Sequence, residues 1–283
     1  MLPATLKLCC GISHQPLRNL TGLQLPAVGA FEKEMSKFIT SKIESCFLDI
    51  PHSLQKLLCM QLGINADSNI NKAAMPSSRD MIYLNQIERT LHTAKSMLQQ
   101  EGWHAEQKNG DRFFTKAFPM IGKVFRVEAV IDSPLEEIYT QLFEKLEYMD
   151  QWNPNISKVQ ILKRIGNNTL LTREVTAQNP FGQRDFVSIQ HCCRTGSSLY
   201  LIGTATQSHL MPPQEKITRA EAELTCIILR PLEGDRRKTH FTWLLSVNLK
   251  GWIPQFVTDQ IMAQSQTDFL SHLRRHLSSL EKI

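Results

Sequence analysis

A succession of strand-like segments between residues 123 and 249 is the feature that most limits how this chain can fold. The clearest segment is "THFTWLLSVNL" (239–249), in which every second residue is apolar: Phe241, Trp243, Leu245, Val247 and Leu249. A period of two is typical of a strand that buries one face. Similar segments cover residues 123–131, 158–165, 169–177, 184–192, 198–206 and 224–230. Because turns or loops, rather than crossover helices, join most of them, the pattern predicts an antiparallel sheet.

Two helices are predicted before and between these strands. The first runs from about Arg79 to Gln100 with Ser78 as its N-cap. Its apolar residues recur every three or four positions: Ile82, Leu84, Ile87, Leu91, Ala94 and Leu98. The second lies in "SPLEEIYTQLFEKLEYM" (133–149), where Ser133 is the expected N-cap and Pro134 the first helical residue.

A third, longer helix is predicted from near Pro254 to about Leu280, with an apolar stripe of Phe269, Leu273, Leu277 and Leu280. The predicted fold class is therefore α+β, with a large curved antiparallel sheet whose concave side the last helix covers. Small polar residues interrupt the stripe at "AQSQTD" (263–268). Either this patch faces water, or the helix meets the sheet loosely there, since a solid core would prefer Leu or Ile.

Composition excludes several classes of protein. The 283 residues are 42% hydrophobic and 21% charged, and the net charge of +5 is scattered rather than gathered into a stripe, which argues against a nucleic-acid partner. The seven cysteines form no CxxC pair, which favours a reduced compartment and gives no zinc site. No apolar run is long enough to span a bilayer. The sequence also has no nucleophile elbow, HExxH motif or phosphate-binding loop, so no catalytic residue is predicted.

The beginning of the chain differs from the rest. Residues 1–30 contain no Asp or Glu but do contain Lys7, Arg18, hydroxyl residues and many aliphatics, as organelle import segments do, although a disordered tail is the alternative. The breaker-rich stretch "NADSNINKAAMPSSRD" (65–80) reads as a linker. We therefore predict a targeting segment and linker over residues 1–76, and a main domain over residues 77–283.

Several stretches of the main domain strongly resemble the START family of lipid-binding domains. They are "GKVFRVEAVIDSPLEEIY", "WNPNISKVQIL", "QRDFVSIQ", "TRAEAELTCIILRPL" and "TWLLSVNLKGWIPQFVTDQIMAQSQTDFLSHLRRHL", and the resemblance covers nearly all of residues 77–281. It implies the helix-grip fold, in which a U-shaped sheet and the last helix enclose a tunnel for one sterol. The opening "MLPATLKLCCGISHQPLRNLTGLQLPAVGA" also resembles the mitochondrial import segment of the steroidogenic branch of this family.

The resemblance implies a function as well as a fold. A member of this branch would be a monomeric carrier without a cofactor, made as a cytosolic precursor, that delivers cholesterol to mitochondria at the outer membrane and so supports steroid hormone synthesis. Two alternatives stay open. The chain could carry another lipid, such as an oxysterol, a bile acid or a phospholipid, or it could be a helix-grip enzyme.

The resemblance also implies a site. Glu174 matches an interior acid of the family, and Gln190 stands where the family has an interior arginine. Without that cation, the pKa of a buried Glu174 should rise, and a neutral Glu174 with Gln190 and water could hold a sterol hydroxyl. Arg184 is expected at the pocket edge, pairing locally with Asp185. Asn153 is expected to fix a helix-to-strand corner, and both Arg184 and Asn153 are counted among the lipid-binding residues.

The remaining site residues follow from the same resemblance. Those expected to face the lipid are Leu245, Met262, Ser265 and Phe269. Leu210 and Met211, in the loop 207–216, are expected at the tunnel mouth against the last helix, either exposed for membrane contact or buried beneath the helix. Ser197, in "RTGS", matches a kinase site of the family, and Arg274, Arg275 and Lys282 could meet anionic lipid.

Overall fold

The computed structural model describes residues 77–108 and 110–280, which form helices and strands in a defined order. Helix α1 (Ser78–Leu98) is followed by β1 (His104–Lys108), β2 (Asp111–Phe118) and β3 (Gly122–Ile131). Next come α2 (Leu135–Tyr139), a π-helical turn (Thr140–Glu144) and a 3-10 helix (Leu146–Gln151). The rest comprises β4 (Ile156–Ile165), β5 (Thr169–Thr176), β6 (Arg184–Thr195), β7 (Ser198–Ala205), β8 (Thr218–Leu232), β9 (Asp235–Asn248) and α3 (Gln255–Leu280).

The nine strands of the described chain form one sheet in the order β1-β2-β3-β9-β8-β7-β6-β5-β4. Neighbours in this order are antiparallel, which confirms the sheet that the alternation predicts. In addition, residues 184–186 of β6 make a short parallel pairing with residues 218–220 of β8, beyond the end of β7. The α+β helix-grip architecture is thus confirmed. Strands β1 and β2 were not predicted, and β1, a polar edge strand of sequence HAEQK, has no apolar alternation to reveal it.

Helices cover both faces of this sheet, so each face has its own core. We call the face against α1 the outer face; its sealed residues include Val187, Ile189, Ile202, Cys226, Ile228 and Leu244. We call the opposite face, against α2 and α3, the inner face; its core includes Val127, Ala129, Leu170, Leu199, Leu229 and Phe241. The second half of α3 contributes Phe269, Leu270, Leu273 and Leu277 to the inner core, which confirms most of the predicted stripe.

The first helix begins one residue earlier than predicted. Ser77, not Ser78, is its N-cap, because the Ser77 hydroxyl accepts from the Asp80 backbone N–H and the Asp80 carboxylate accepts from the Ser77 N–H, which forms a capping box. The buried stripe is also offset from the predicted one, since Tyr83, Ile87, Thr90, Ala94 and Met97 are buried and Ile82 is 56% exposed.

The second helix is shorter than predicted and starts later. Pro134 is its N-cap and makes no side-chain capping bond, so the prediction of Ser133 as the cap is wrong. Ser133 is instead buried, and its carbonyl accepts a hydrogen bond from Thr239 Oγ1 at 2.8 Å. After Tyr139 the α-helix changes to the π-helical turn and then to the 3-10 helix, so the predicted single helix is divided into three segments. Among the described helices, none is both long and apolar enough to cross a membrane.

Candidate functional site

Two polar side chains meet on the inner face where β5 and β6 pair. Gln190 donates through Nε2 to Glu174 Oε1 at 2.8 Å and to Thr172 Oγ1 at 3.2 Å. Side chains two residues apart on a strand share a face, so Thr172 and Glu174 lie together on β5 and Gln190 reaches both from β6. The structure therefore brings together the two residues that the sequence singled out.

Glu174 has an unusual electrostatic environment. Burial raises the pKa of Glu174 above its ordinary value of 4.5, and the hydrogen bond from Gln190 opposes this only in part. Within residues 77–108 and 110–280, no Lys, Arg or His forms an ion pair with this carboxyl group. A buried carboxyl group without a cation ionises less readily, and in its protonated form both it and the Gln190 amide can donate and accept hydrogen bonds.

The inner face around this pair is incompletely filled. Several residues in the middle of the sheet keep accessible surface although strands flank them on both sides: Glu174, Phe186, Gln190, Thr225, Ile227 and Trp243. Their outer-face neighbours are sealed, with exposed fractions of 1% for Val187, 2% for Ile228 and 0% for Leu244. Glu174 is deeply buried and yet keeps some accessible surface, which indicates an internal space on this face of the sheet. We call this space the hollow.

A glycine keeps the centre of the inner face open. Gly203 of β7 pairs with Gln190 on one side and Thr225 on the other. A Cβ atom on Gly203 would lie 2.7 Å from Thr225 Cγ2 and 3.5 Å from Gln190 Cγ. Any larger residue would therefore displace Thr225 and crowd Gln190. Thr225 is itself fixed, because its hydroxyl accepts from Trp243 Nε1 at 3.0 Å.

Helix α3 forms the opposite wall. Met262 joins Leu245 and Phe125 in one apolar cluster, so two more of the predicted lipid-facing residues lie together. Phe269 lies against Trp243, with ring centroids 4.9 Å apart, and against Trp152 at 5.7 Å. These contacts seat α3 on the inner face of the sheet.

The polar interruption of α3 meets the sheet through Gln266, a residue that the sequence reasoning missed. Gln266 is 1% exposed, and its Nε2 donates to the Trp243 carbonyl at 3.4 Å. Ser265, which was expected to face the ligand, is half-buried and donates to the Met262 carbonyl at 2.8 Å within its own helix. The spacing of the buried positions 262, 266, 269, 273 and 277 is the signal that could have identified Gln266.

Arg184 and Asp185 do not pair with each other, so that prediction is wrong. Successive strand residues point to opposite faces, which separates the two side chains. The Arg184 guanidinium donates to the carbonyls of Phe181, Gly182 and Leu249. It thereby ties the β5–β6 turn to the end of β9 and makes no hydrogen bond to Glu174.

Asp185 lies at the centre of a separate network on the outer face. Its carboxylate accepts from Arg173 Nε at 2.8 Å and from Arg219 Nε and Nη2 at 2.8 and 2.9 Å. Burial raises the pKa of Asp185, but the hydrogen bonds from Arg219 and Arg173 outweigh it, so the pKa lies below its ordinary value of 3.8.

The remaining predicted residues lie away from the polar pair. Asn153 is buried at the corner before β4, and its Oδ1 accepts from the Asn155 N–H at 3.2 Å, which confirms a turn-forming role. Ser197 is exposed in the β6–β7 turn, where its role as a phosphate acceptor stays a prediction. Arg194, three residues before it, pairs with Glu136 at 2.7 Å.

The loop 207–216 contacts α1 in the described structure. His209 Nδ1 lies 2.9 Å from Arg79 Nη1, and Met211 packs against the outer-face core. Leu210 is 44% exposed. These contacts place the loop beside the first helix, whereas it was expected against the last; its role at a tunnel mouth stays a prediction.

A pair of substitutions on β8 tests whether the inner face is hollow. Ile227 points to the inner face and Ile228 to the sealed outer face. We expect Ile228→Trp to lower the free energy of unfolding by about 1–3 kcal/mol, because the new ring overpacks a filled core. Ile227→Trp should cost less than about 1 kcal/mol, because the ring can enter the hollow. Urea unfolding measures both, and equal losses would contradict the assignment.

Replacing Glu174 tests its protonation. The unfolded side chain ionises near 4.5 and the folded one at higher pH, so the folded state binds more protons between these values. Its contribution to stability therefore falls as the pH rises through this window. Glu174→Gln should abolish that fall, so the stability of the variant relative to the native chain should improve from about pH 4 to about pH 7. Urea unfolding checks this, with the exposed Glu233→Gln as control; a relative stability that worsens with pH would contradict the raised pKa.

Comparison with known proteins agrees with this architecture. The family model described as "START domain" matches residues 83–283. The chain belongs to the START-domain family. This START-domain protein is 40% identical over 285 residues to the steroidogenic acute regulatory protein, mitochondrial, of Mesocricetus auratus, a match covering 99% of this chain and 97% of the relative. It is 41% identical to the protein of that name from Gallus gallus, with 98% of each chain covered.

Solved structures show the same fold. Human StAR-related lipid transfer protein 5 matches with a TM-score of 0.63 and 19% identity, covering 71% of this START-domain protein and 99% of that chain. Human STARD10 matches with a TM-score of 0.61 and 16% identity, covering 76% and 84% of the two chains. At these identities the likeness concerns the fold alone.

Proposed function

We propose that this START-domain protein binds one sterol, with cholesterol as the foremost candidate, in the hollow and transfers it to mitochondria, where it supports steroid hormone synthesis. The observation that carries the proposal is a hollow with apolar walls and one cation-free polar pair, Glu174 and Gln190. A sterol is a rigid apolar ring system with a single hydroxyl group. Its rings gain about 25 cal/mol for each Å² removed from water, whereas its hydroxyl needs a hydrogen-bond partner inside.

Neither Glu174 nor Gln190 is a cation, and this favours a sterol over a phospholipid. A buried phosphate group needs a cation or several strong donors, because an unpaired charge in an apolar environment is very costly. The pair offers only amide and carboxyl groups, and the guanidinium of Arg184 is already bound by backbone carbonyls. A neutral hydroxyl is the group that matches these donors and acceptors. We therefore place the oxysterols second and phospholipids last among the alternative cargoes.

We propose further that residues 1–76 are a mitochondrial targeting segment and linker, which lie outside the described residues, and that residues 77–283 are the lipid-binding domain. The relatives named mitochondrial, aligned over nearly the whole chain, support this assignment. The protein would act as a monomeric cytosolic precursor at the outer mitochondrial membrane. The names of these relatives and of the lipid transfer protein support a carrier rather than an enzyme.

Lipid extraction tests the cargo. The full chain is purified from sterol-containing cells without detergent, and its bound lipids are identified by mass spectrometry. We expect cholesterol or a related sterol. Recovery of phospholipid instead would overturn the sterol assignment, and chemical alteration of the lipid on incubation would favour an enzyme.

A further inference from the structure

The inner face carries polar side chains on β8 and α3, apart from the Glu174–Gln190 pair on β5 and β6. Trp243 of β9 links two of them. Its indole Nε1 donates to Thr225 Oγ1 on β8 at 3.0 Å, and its carbonyl accepts from Gln266 Nε2 on α3 at 3.4 Å. We call Thr225 and Gln266 the β8–α3 pair. The proposed binding of a single sterol hydroxyl by the first pair makes no use of this second one.

Both members of the β8–α3 pair keep hydrogen-bonding capacity that the described chain does not use. Gln266 donates through Nε2, but no donor within residues 77–108 and 110–280 bonds to its Oε1. A threonine hydroxyl can donate as well as accept, and within the same residues the Thr225 hydroxyl only accepts. The pair therefore has one unused acceptor, on Gln266, and one unused donor, on Thr225.

The unused oxygen of Gln266 keeps contact with open space, although the residue as a whole is 1% exposed. In the described part of the chain, the side-chain atoms that are sealed and lack a partner are Trp103 Nε1, Arg126 Nε and His272 Nδ1. Gln266 Oε1 also lacks a partner but is not sealed, so it retains accessible surface. Thr225 retains accessible surface in the middle of the sheet as well. Buried polar atoms of this kind are normally satisfied by water or by a ligand.

Gly203 leaves a gap between the two polar pairs. It lies on β7, with Gln190 beside it on β6 and Thr225 beside it on β8. The position of a Cβ atom on Gly203 is 3.5 Å from Gln190 Cγ and 2.7 Å from Thr225 Cγ2, so the two side chains approach each other over the glycine. Strands β6 and β8 are two strand spacings apart, which is about 10 Å. The ring system of a sterol has a comparable length, so one sterol can reach both pairs.

The chemistry of the β8–α3 pair matches a hydroxyl group. A hydroxyl can accept from Thr225 and donate to Gln266 at the same time, whereas a ketone oxygen can only accept. A charged group would lack a counterion, because no cationic side chain of the described residues bonds to Thr225 or Gln266. Cholesterol has a single hydroxyl, which the first pair holds in the proposed function. A second hydroxyl on the cargo would therefore find a partner at the β8–α3 pair.

We propose that Thr225 and Gln266 form a second binding site in the hollow, which holds a hydroxyl group on the ring system of a sterol. The cargo then includes sterols with a second hydroxyl on their rings as well as cholesterol. When cholesterol is bound, a water molecule takes the place of this second hydroxyl. The inference rests on the proposed function, because it concerns the same hollow and extends the class of sterol that the hollow accepts.

A series of sterols tests the second site on the unmodified full chain. Each competes with a fluorescent sterol that cyclodextrin delivers. The series contains cholesterol, two sterols with a second hydroxyl on the rings, 7-hydroxycholesterol and 15-hydroxycholesterol, and one with it on the tail, 25-hydroxycholesterol. We expect at least one ring-hydroxylated sterol to bind roughly tenfold more tightly than the tail-hydroxylated one, whose second hydroxyl is buried without a partner. Binding of 25-hydroxycholesterol that equals or exceeds that of both ring-hydroxylated sterols would overturn the proposal.

Substitutions in the β8–α3 pair separate hydrogen bonding from shape. We expect Thr225→Val, which removes the hydroxyl and keeps the shape, to weaken binding of the preferred ring-hydroxylated sterol roughly tenfold and that of cholesterol less than about twofold. Thr225→Ser keeps the hydroxyl and is the matched control, which should retain the preference. Because Thr225→Val also deprives Trp243 Nε1 of its acceptor, Gln266→Met is a second variant that leaves this bond intact and should show the same selective loss. Equal weakening of both sterols in Gln266→Met, or no weakening of either, would contradict the second site.

The cholesterol measurement in the same series separates this inference from the proposed function. If cholesterol binds but neither ring-hydroxylated sterol is preferred to the tail-hydroxylated one, the second site falls and the sterol proposal stands. If a ring-hydroxylated sterol binds and cholesterol does not, cholesterol falls as the foremost cargo and the second site stands. If no sterol of the series binds, both proposals fall.

Discussion

Phe269→Ala should lower the free energy of unfolding by about 3–5 kcal/mol, which is the usual cost of removing a buried aromatic ring. Phe269 is 8% exposed and lies between Trp152 and Trp243, so its loss leaves a void on both sides. The neighbouring rings are held by other contacts and cannot collapse fully into the gap. For a domain of this size, the melting temperature should fall by roughly 10 °C. Calorimetry of the full chain measures this.

A matched control lies on the same helix. Ser271 is exposed two residues further along α3, and Ser271→Ala should change the stability by less than about 0.5 kcal/mol. If Phe269→Ala were as mild as Ser271→Ala, α3 would not be seated on the inner face as described. Phe269→Leu should lie between the two, because it retains part of the apolar volume.

Asp185→Asn should be similarly destabilising, by about 3 kcal/mol, for an electrostatic reason. The Asp185 side chain has no exposed surface, and its carboxylate is the charge partner of both Arg173 and Arg219. The amide retains the shape but removes the charge, so two largely buried guanidinium groups lose their counterion. Urea unfolding near neutral pH measures the loss.

The pH dependence of this effect has a defined sign. Since the folded pKa of Asp185 is depressed, the ion pairs contribute stability above about 3.8, and this contribution is lost as the pH falls through the folded pKa. The difference between Asp185→Asn and the native chain should therefore shrink in acid. The control is Asp132→Asn, whose 80% exposed side chain pairs with Lys238 and should contribute little. Equal effects of the two substitutions would contradict a buried network.

The sheet was predictable because its signal is local. Strand β9 alternates apolar and polar residues, and turns between successive strands leave an antiparallel arrangement as the simplest one. The edge strand β1 and the first residues of β8, "TRAEAE", lack this alternation because little of their surface meets a core. The cap of the first helix was misplaced by one residue because adjacent serines at 77 and 78 are equivalent in sequence, and only the reciprocal bond with Asp80 distinguishes them.

The candidate site was predictable only in part, because its residues come from separate elements. The family resemblance identified Glu174 and Gln190. The structure adds that they lie on neighbouring strands, with Gln190 Nε2 2.8 Å from Glu174 Oε1. Asp185 was assigned the wrong partner because its true partners, Arg173 and Arg219, come from other strands that only the register brings near.

The most direct test of the account is a titration of the full chain with a fluorescent sterol that accepts energy from tryptophan. Trp243 borders the hollow and should transfer energy to a bound sterol, saturating at one sterol per chain, and most of this transfer should be lost in Trp243→Phe. Ile227→Trp, which fills the hollow, should abolish binding, whereas Ile228→Trp should not. Sterol binding that persists in Ile227→Trp, or energy transfer that does not saturate, would contradict a single internal site.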